Sequence, residues 1–188
     1  MRAFFCLPVP AAARRTLART SDALRDSVQM RASWVAEENY HFTVRFLGEI
    51  DPMLTVDLKE MATRVASSIP PFSLRIDRVG GFPALDRARV VWAGGETPDA
   101  FSDLVQRISE ALERLGFERE RRRPTAHVTL ARVKGRPDPQ LATLAARLNP
   151  LDIVDVAADR LVLMESQLGP RGATYSPLFE TSLRRDGG

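Results

Sequence analysis

Cysteine and histidine are almost missing from this chain: 188 residues carry one cysteine, Cys6, and two histidines, His41 and His127. A lone cysteine excludes an internal disulfide and a zinc site built on four thiolates. The default expectation is therefore a cytoplasmic protein. Long apolar runs are missing too, and none approaches the ~18 residues needed to span a bilayer. The opening Met1-Arg2-Ala3-Phe4-Phe5-Cys6-Leu7-Pro8 stops its apolar stretch at Pro8, with Arg14 and Arg15 close behind. It reads as a first strand rather than a secretion signal. Lysine is scarce: of 27 basic residues only Lys59 and Lys134 are not arginine. Arginine's planar fork suits phosphate, but codon usage accounts for the bias equally well, so nothing is built on it. The formal charge of +3 permits an anionic partner without demanding one. There is no Gly-x-Ser-x-Gly elbow, and Gly94-Gly95-Glu96-Thr97 lacks the lysine and spacing of a P-loop.

What remains is an ordinary globular composition, 44% hydrophobic and 27% charged. Ala3–Leu7 reads as a buried strand, and Pro10 to about Val28 has helical spacing through Leu17, Leu24 and Val28. Trp34-Val35 and His41–Leu47 read as extended, ending at Gly48. A helix starts at Asp51-Pro52 and runs on Leu54, Leu58, Met61 and Val65 to Pro70-Pro71. Phe72–Ile76 alternates as a strand, Gly80-Gly81 reads as a turn, and Arg89–Ala93 is the next strand. The order then recurs. A helix from Pro98 to about Gly116 places Leu104, Ile108, Leu112 and Leu115 on one face; the strand His127–Val133 and a helix over about Pro139–Leu148 follow. Strands near Ile153–Val156, Arg160–Met164 and Tyr175–Glu180 close the chain. His41 follows Phe4 by 37 positions, and His127 follows Val90 by the same 37. One domain with an approximate repeat, 1–88 and 89–188, is the expectation.

Both histidines open the same tetrapeptide, His41-Phe42-Thr43-Val44 and His127-Val128-Thr129-Leu130. A given histidine heads His-apolar-Thr-apolar by chance roughly once in eighty at ordinary residue frequencies, so two such cases are rare. Strand alternation projects His41 with Thr43 and His127 with Thr129, while the intervening apolar residues anchor each strand. Two imidazoles and two hydroxyls facing one groove suit in-line displacement at phosphorus. One imidazole acts as base on the attacking oxygen and the other as acid on the leaving oxygen. Hydroxyl donors hold the non-bridging oxygens. Metal binding would need a third ligand, and neither motif carries one at ligand spacing.

The motifs resemble those of the 2H phosphoesterase superfamily. More narrowly, the chain is similar to the RNA 2′,3′-cyclic phosphodiesterases, also called 2′-5′ RNA ligases. The likeness runs from Arg2-Ala3-Phe4-Phe5-Cys6-Leu7-Pro8 through Asn39-Tyr40-His41-Phe42-Thr43-Val44-Arg45-Phe46-Leu47-Gly48. It continues through Gly80-Gly81-Phe82-Pro83, Arg89–Gly94, His127–Arg132, Leu163-Met164-Glu165-Ser166 and Tyr175-Ser176-Pro177-Leu178. One departure stands out: Pro124 precedes His127 by three positions, where relatives often have proline directly before the histidine.

The resemblance implies an α+β fold, two pseudo-symmetric lobes of antiparallel sheet with outer helices around a central cleft. It implies no metal and no cofactor. It implies hydrolysis of RNA 2′,3′-cyclic phosphate ends, or of nucleoside 2′,3′-cyclic phosphates, to 2′-phosphates, by a chain taken to be a monomer. By position His41 matches the proton donor, His127 the proton acceptor, and Thr43 and Thr129 the phosphate-holding threonines. The family also has arginine at the positions of Arg45 and Arg132. Alternation alone turns Arg45 toward the cleft and Arg132 away from it unless a bulge intervenes. Arg119-Glu120-Arg121-Arg122-Arg123 reads as a solvated loop, with steering of an RNA backbone as the other reading. Trp34 and Trp92 are expected in the core, Cys6 in a buried strand, and Phe46, Phe82 or Tyr175 against a base. An RNA-end binder without turnover is the competing function, although binding alone does not call for two titratable groups. Ligation to a 2′-5′ bond would use the same histidines in reverse.

Overall fold

The computed structural model describes residues 1–149, 151, 154–169 and 172–184. The strands are β1 (Arg2–Pro8), β2 (Ala32–Trp34), β3 (His41–Glu49), β4 (Phe72–Ile76), β5 (Arg78–Phe82), β6 (Val90–Gly94), β7 (His127–Val133), β8 (Val154–Ala158), β9 (Arg160–Gly169) and β10 (Gly172–Ser182). The helices are α1 (Ala11–Ser27), α2 (Thr55–Ala66), α3 (Asp99–Glu113) and α4 (Leu141–Leu148). Every element foreseen from spacing is present within a few residues; Ile153 lies outside the described residues.

An eight-stranded sheet runs in the order β10-β9-β1-β3-β7-β6-β5, with β2 also paired to β7; β4 and β8 form a separate ribbon. All pairings are antiparallel. The halves of the large sheet meet through a single residue pair, Phe42 with Val128.

The helices form on apolar stripes that need a partner. Helix α1 buries Ala13, Leu17 and Leu24, α2 buries Leu58, Met61 and Ala62, and α3 buries Phe101, Leu104, Ile108 and Leu112. They pack into one core with Phe5, Leu7, Phe42, Val44, Val128 and Leu130 from one face of the sheet. Each such side chain contributes about 1.5–3 kcal/mol of burial. Phe4 and Cys6, alternating with these on β1, face the other way and form a small second cluster with Val162, Met164 and Tyr175. The sheet therefore has a helix-covered face and an open face, and the histidines stand on the open one.

Two details differ from the sequence reading. Gly80 and Gly81 lie inside β5, paired with Trp92 and Val91, and are not a turn. Their missing side chains make room: a Cβ on Gly80 would overlap the Trp92 ring, and one on Gly81 would sit 3.0 Å from the Leu85 backbone. The spatial halves also do not follow the chain halves. β2, from the first half of the chain, edges β7, whereas β9 and β10 from the second half extend β1.

Candidate active site

Each motif occupies the start of its strand, and both strands are built alike. His41 stands opposite Pro8 at the end of β1, and His127 stands opposite Gly94 at the end of β6. In each strand the residue after the threonine is a bulge. Phe5 pairs with Arg45 and Cys6 with Thr43, which leaves Val44 extra. Val91 pairs with Ala131 and Trp92 with Thr129, which leaves Leu130 extra. Carried one residue either way, the Phe42–Val128 register sets His41 across from Thr129 and Thr43 across from His127. The charge of His127 is felt at His41, so the two His/Thr pairs lie in one group on the open face.

The bulges decide which arginine reaches the histidines. An extra residue reverses alternation beyond it. Arg132 therefore emerges exposed on the histidine face, and its positive charge lies near enough to both imidazoles to depress their protonation. Arg45 turns the other way, its side chain 11% exposed. Its Nη1 donates to Glu120 Oε2 at 3.0 Å and its Nη2 donates to the Glu118 carbonyl. The neighbour of Arg45, Phe46, takes the cleft side, 60% exposed, with its ring 5.9 Å from that of Phe4. Simple alternation had these two arginines reversed. The adjacent apolar pair Leu130-Ala131, which breaks the period of two, was the signal that could have shown it.

Backbone contacts aim both imidazoles. His41 Nδ1–H donates to the Asn39 carbonyl at 2.7 Å, and His127 Nδ1–H donates to the Thr125 carbonyl at 2.8 Å. With Nδ1 tied to the residue two before it, each ring leaves Nε2 for chemistry. His41 Nε2 and the Thr43 hydroxyl share a hydrogen bond at 3.1 Å, in which the hydroxyl donates when the ring is neutral. Asn39 is itself pinned, its Nδ2 donating to the Ala173 carbonyl on β10 at 2.7 Å, a support that sequence reading did not find. Aromatic rings wall both histidines. Phe4 lies 4.8 Å and Tyr175 5.3 Å from His41, and Phe82 lies 4.9 Å from His127. Trp92 is half-buried in this wall, 6.3 Å from His127, and not in the core where it was expected. Trp34 is half-buried against the core, and Cys6 is fully buried, its thiol pushed up to about 12 by burial.

The walls also set protonation. Burial lowers His41 to about 4, opposed by the Asn39 carbonyl and aided by the charges of His127 and Arg132. Burial likewise lowers His127, opposed by the Thr125 carbonyl and aided by Arg132. An anion in the groove would reverse both effects by favouring the charged rings. Among the described residues, no three His, Cys, Asp or Glu side chains gather as a metal site would require.

Paired His/Thr strands on the open face of one antiparallel sheet define the class of two-histidine phosphoesterases. The chain belongs to the LigT-like phosphoesterase family, whose sequence pattern matches residues 7–92 and 95–175. An RNA 2′,3′-cyclic phosphodiesterase of Methanothermobacter thermautotrophicus is 30% identical over 179 residues, covering 95% of this chain and 96% of that protein. One from Thermotoga maritima is 33% identical over 151 residues, covering 79% of this chain and 78% of its own. Among solved structures, a Thermus thermophilus protein superposes with a TM-score of 0.81 at 25% identity over the full length of both chains. E. coli LigT complexed with 3′-AMP superposes with a TM-score of 0.75 at 26% identity, over 98% of each chain.

Proposed function

We propose that this enzyme opens RNA 2′,3′-cyclic phosphate ends to 2′-phosphates, with His41 as acid and His127 as base. The observation that carries the reading is the matched pair of imidazoles. Each is locked at Nδ1 to the carbonyl two residues before it, with Nε2 left for a groove that holds two threonines and one exposed arginine. The names of the curated relatives support the substrate, and a solved relative holding 3′-AMP supports a nucleotide in this fold.

In this reading the cyclic phosphate lies between the histidines. Thr43, Thr129 and Arg132 hold its non-bridging oxygens. Water attacks phosphorus from the His127 side as Nε2 of His127 takes its proton. The bond to the 3′ oxygen breaks, and that oxygen takes the proton from Nε2 of His41. The products are a 2′-phosphomonoester and a free 3′-hydroxyl, with one water consumed. Thr43 must release the His41 nitrogen for this to occur. The incoming anion favours that exchange, because it raises the affinity of the ring for a proton and offers the hydroxyl a better acceptor. Substrate and proton therefore arrive together.

The matched positions of His41 opposite Pro8 and His127 opposite Gly94 also support an internal duplication about the Phe42–Val128 pair. The test of the activity is a short RNA with a 2′,3′-cyclic end, incubated in EDTA. A gain of one water in mass and a new phosphatase-sensitive phosphate are expected. An unchanged cyclic end, or a 3′-phosphate product, would overturn the reading.

A further inference from the structure

The segment between α3 and β7 carries the densest charge in the chain, Arg119-Glu120-Arg121-Arg122-Arg123, and runs directly into His127. Its shape is built rather than slack. Gly116, at φ +89°, ends the helical turn, and Phe117 N–H donates to the Leu112 carbonyl at 3.1 Å. Arg119 is taken up by Glu113 at 3.7 Å. Arg45 reaches out of β3 to hold both the Glu118 carbonyl and the Glu120 carboxylate. The other oxygen of Glu120 caps the backbone N–H groups of Arg121 and Arg122, at 3.0 and 3.1 Å. At the far end Ala126 N–H donates to the Thr97 hydroxyl at 2.9 Å, and the Thr125 carbonyl orients His127.

The consequence is a separation of charge. The Glu120 carboxylate is neutralised from within by a largely buried arginine, and Glu118 stands nine residues before His127 in the chain. Arg121, Arg122 and Arg123 are exposed, and among the described residues none of them forms an ion pair. Arg123 is four residues and Arg121 six residues from His127, so at most about 14 and 21 Å of chain separate their Cα atoms from that of the histidine. A row of arginines at that distance, on a loop tied to both catalytic strands, matches the spacing of charges on a strand rather than a single phosphate.

We propose that this loop is an RNA-backbone arm: Arg121, Arg122 and Arg123 take the internucleotide phosphates next to the cyclic end, so oligonucleotides are preferred over cyclic mononucleotides. The proposal rests on the phosphodiesterase reading above for its substrate class. It differs from that reading in concerning phosphates that do not react. Non-reacting phosphates add binding energy without touching the acid or the base, so the arm acts on kcat/KM for oligomers and leaves mononucleotide turnover alone.

The test compares wild type with Arg121→Ala/Arg122→Ala/Arg123→Ala. One readout is the affinity for a fluorescent RNA hexamer ending in a 3′-phosphate, titrated by anisotropy across salt concentrations. The other is kcat/KM on adenosine 2′,3′-cyclic phosphate and on a hexamer with a cyclic end. Expected results are a tenfold or greater loss of hexamer affinity at low salt, and a log–log salt slope shallower by about two. Mononucleotide kcat/KM should stay unchanged. A second variant with lysine at all three positions should retain most of the hexamer affinity, since point charges also pair with a backbone. An unchanged salt slope in the alanine variant overturns the arm, and so does an equal loss on hexamer and mononucleotide. Failure of wild type to open either cyclic substrate would instead strike the phosphodiesterase reading, while the anisotropy still decides the arm.

Discussion

At the residue scale the two histidines have the same tether but, in the proposed mechanism, unequal tasks. On that reading His41→Ala removes the acid, so the ribose oxygen must leave unprotonated; His127→Ala removes the base, so water attacks unassisted. Each loss should cost about 10²–10⁴-fold on a cyclic ribose phosphate. An aryl phosphodiester with an activated leaving group needs the acid less, so its rate should be rescued in His41→Ala far more than in His127→Ala. Equal rescue would refute the roles, and rescue of His127→Ala alone would reverse them. The arginines separate in the same way. Arg132→Ala should lower kcat/KM by about 10- to 150-fold, as for a lost charge-assisted hydrogen bond of ~1.5–3 kcal/mol. Arg45→Ala should mainly lower thermal stability, because it frees the loop that Glu118 and Glu120 anchor. If Arg45→Ala matches Arg132→Ala on a cyclic mononucleotide, the inverted strand faces are wrong.

At the element scale, close approach decides what β5 and β6 can carry. Trp92 lies over the bare Cα of Gly80, and that packing sets where the ring stands beside Phe82 and His127. Gly80→Ala forces the indole out of its place beside Phe82, since the added Cβ would overlap it. A loss of about 1–3 kcal/mol in chemical denaturation is expected, with a drop in activity larger than the small unfolded fraction explains. Unchanged stability would show that Trp92 can move without cost. The helices and most strands were legible from apolar spacing, because each needs one apolar face and the periods 3.6 and 2 record it. The strand role of Gly80-Gly81 was not, because the reason for those glycines is a tryptophan paired from another strand.

At the scale of the whole molecule, the depressed imidazoles link folding to pH. A histidine held below its usual 6.5 disfavours the charged form in the folded state, so stability is fully present above about pH 6.5. It is lost as pH falls toward about 4, the level to which burial first of all lowers His41. The contribution of His41 is at most about 3 kcal/mol over that window. His41→Asn should flatten the dependence of Tm on pH between 4 and 6.5, and an unaltered slope would deny the burial effect. The same physics shapes catalysis. The kcat/KM profile, which reports the free enzyme, should be a bell centred below pH 6.5, whose limbs belong to the pair. The kcat profile should lie at higher pH because bound phosphate restores the rings' affinity for protons. A kcat/KM optimum above neutrality would contradict both statements.

The two matching motifs, and the candidate reactive groups they hold, were legible in the sequence alone. Two histidines in matching His-apolar-Thr-apolar strands name their own chemistry, since alternation is a local property of extended chain and needs no partner strand. The resemblance to two-histidine phosphoesterases followed from the same eight residues and their flanks. Tertiary structure decided everything that depends on a neighbour. The bulges at Val44 and Leu130 arise where β1 and β6 pair with the histidine strands, and they exchange the faces of Arg45 and Arg132. The support of His41 by Asn39 comes from Ala173, 134 residues distant in the chain. Whether a charged loop is merely wet or a shaped arm depends on an arginine from β3 that takes up its acid. Such facts are pairings across the fold, and a local pattern does not encode the register in which distant strands meet.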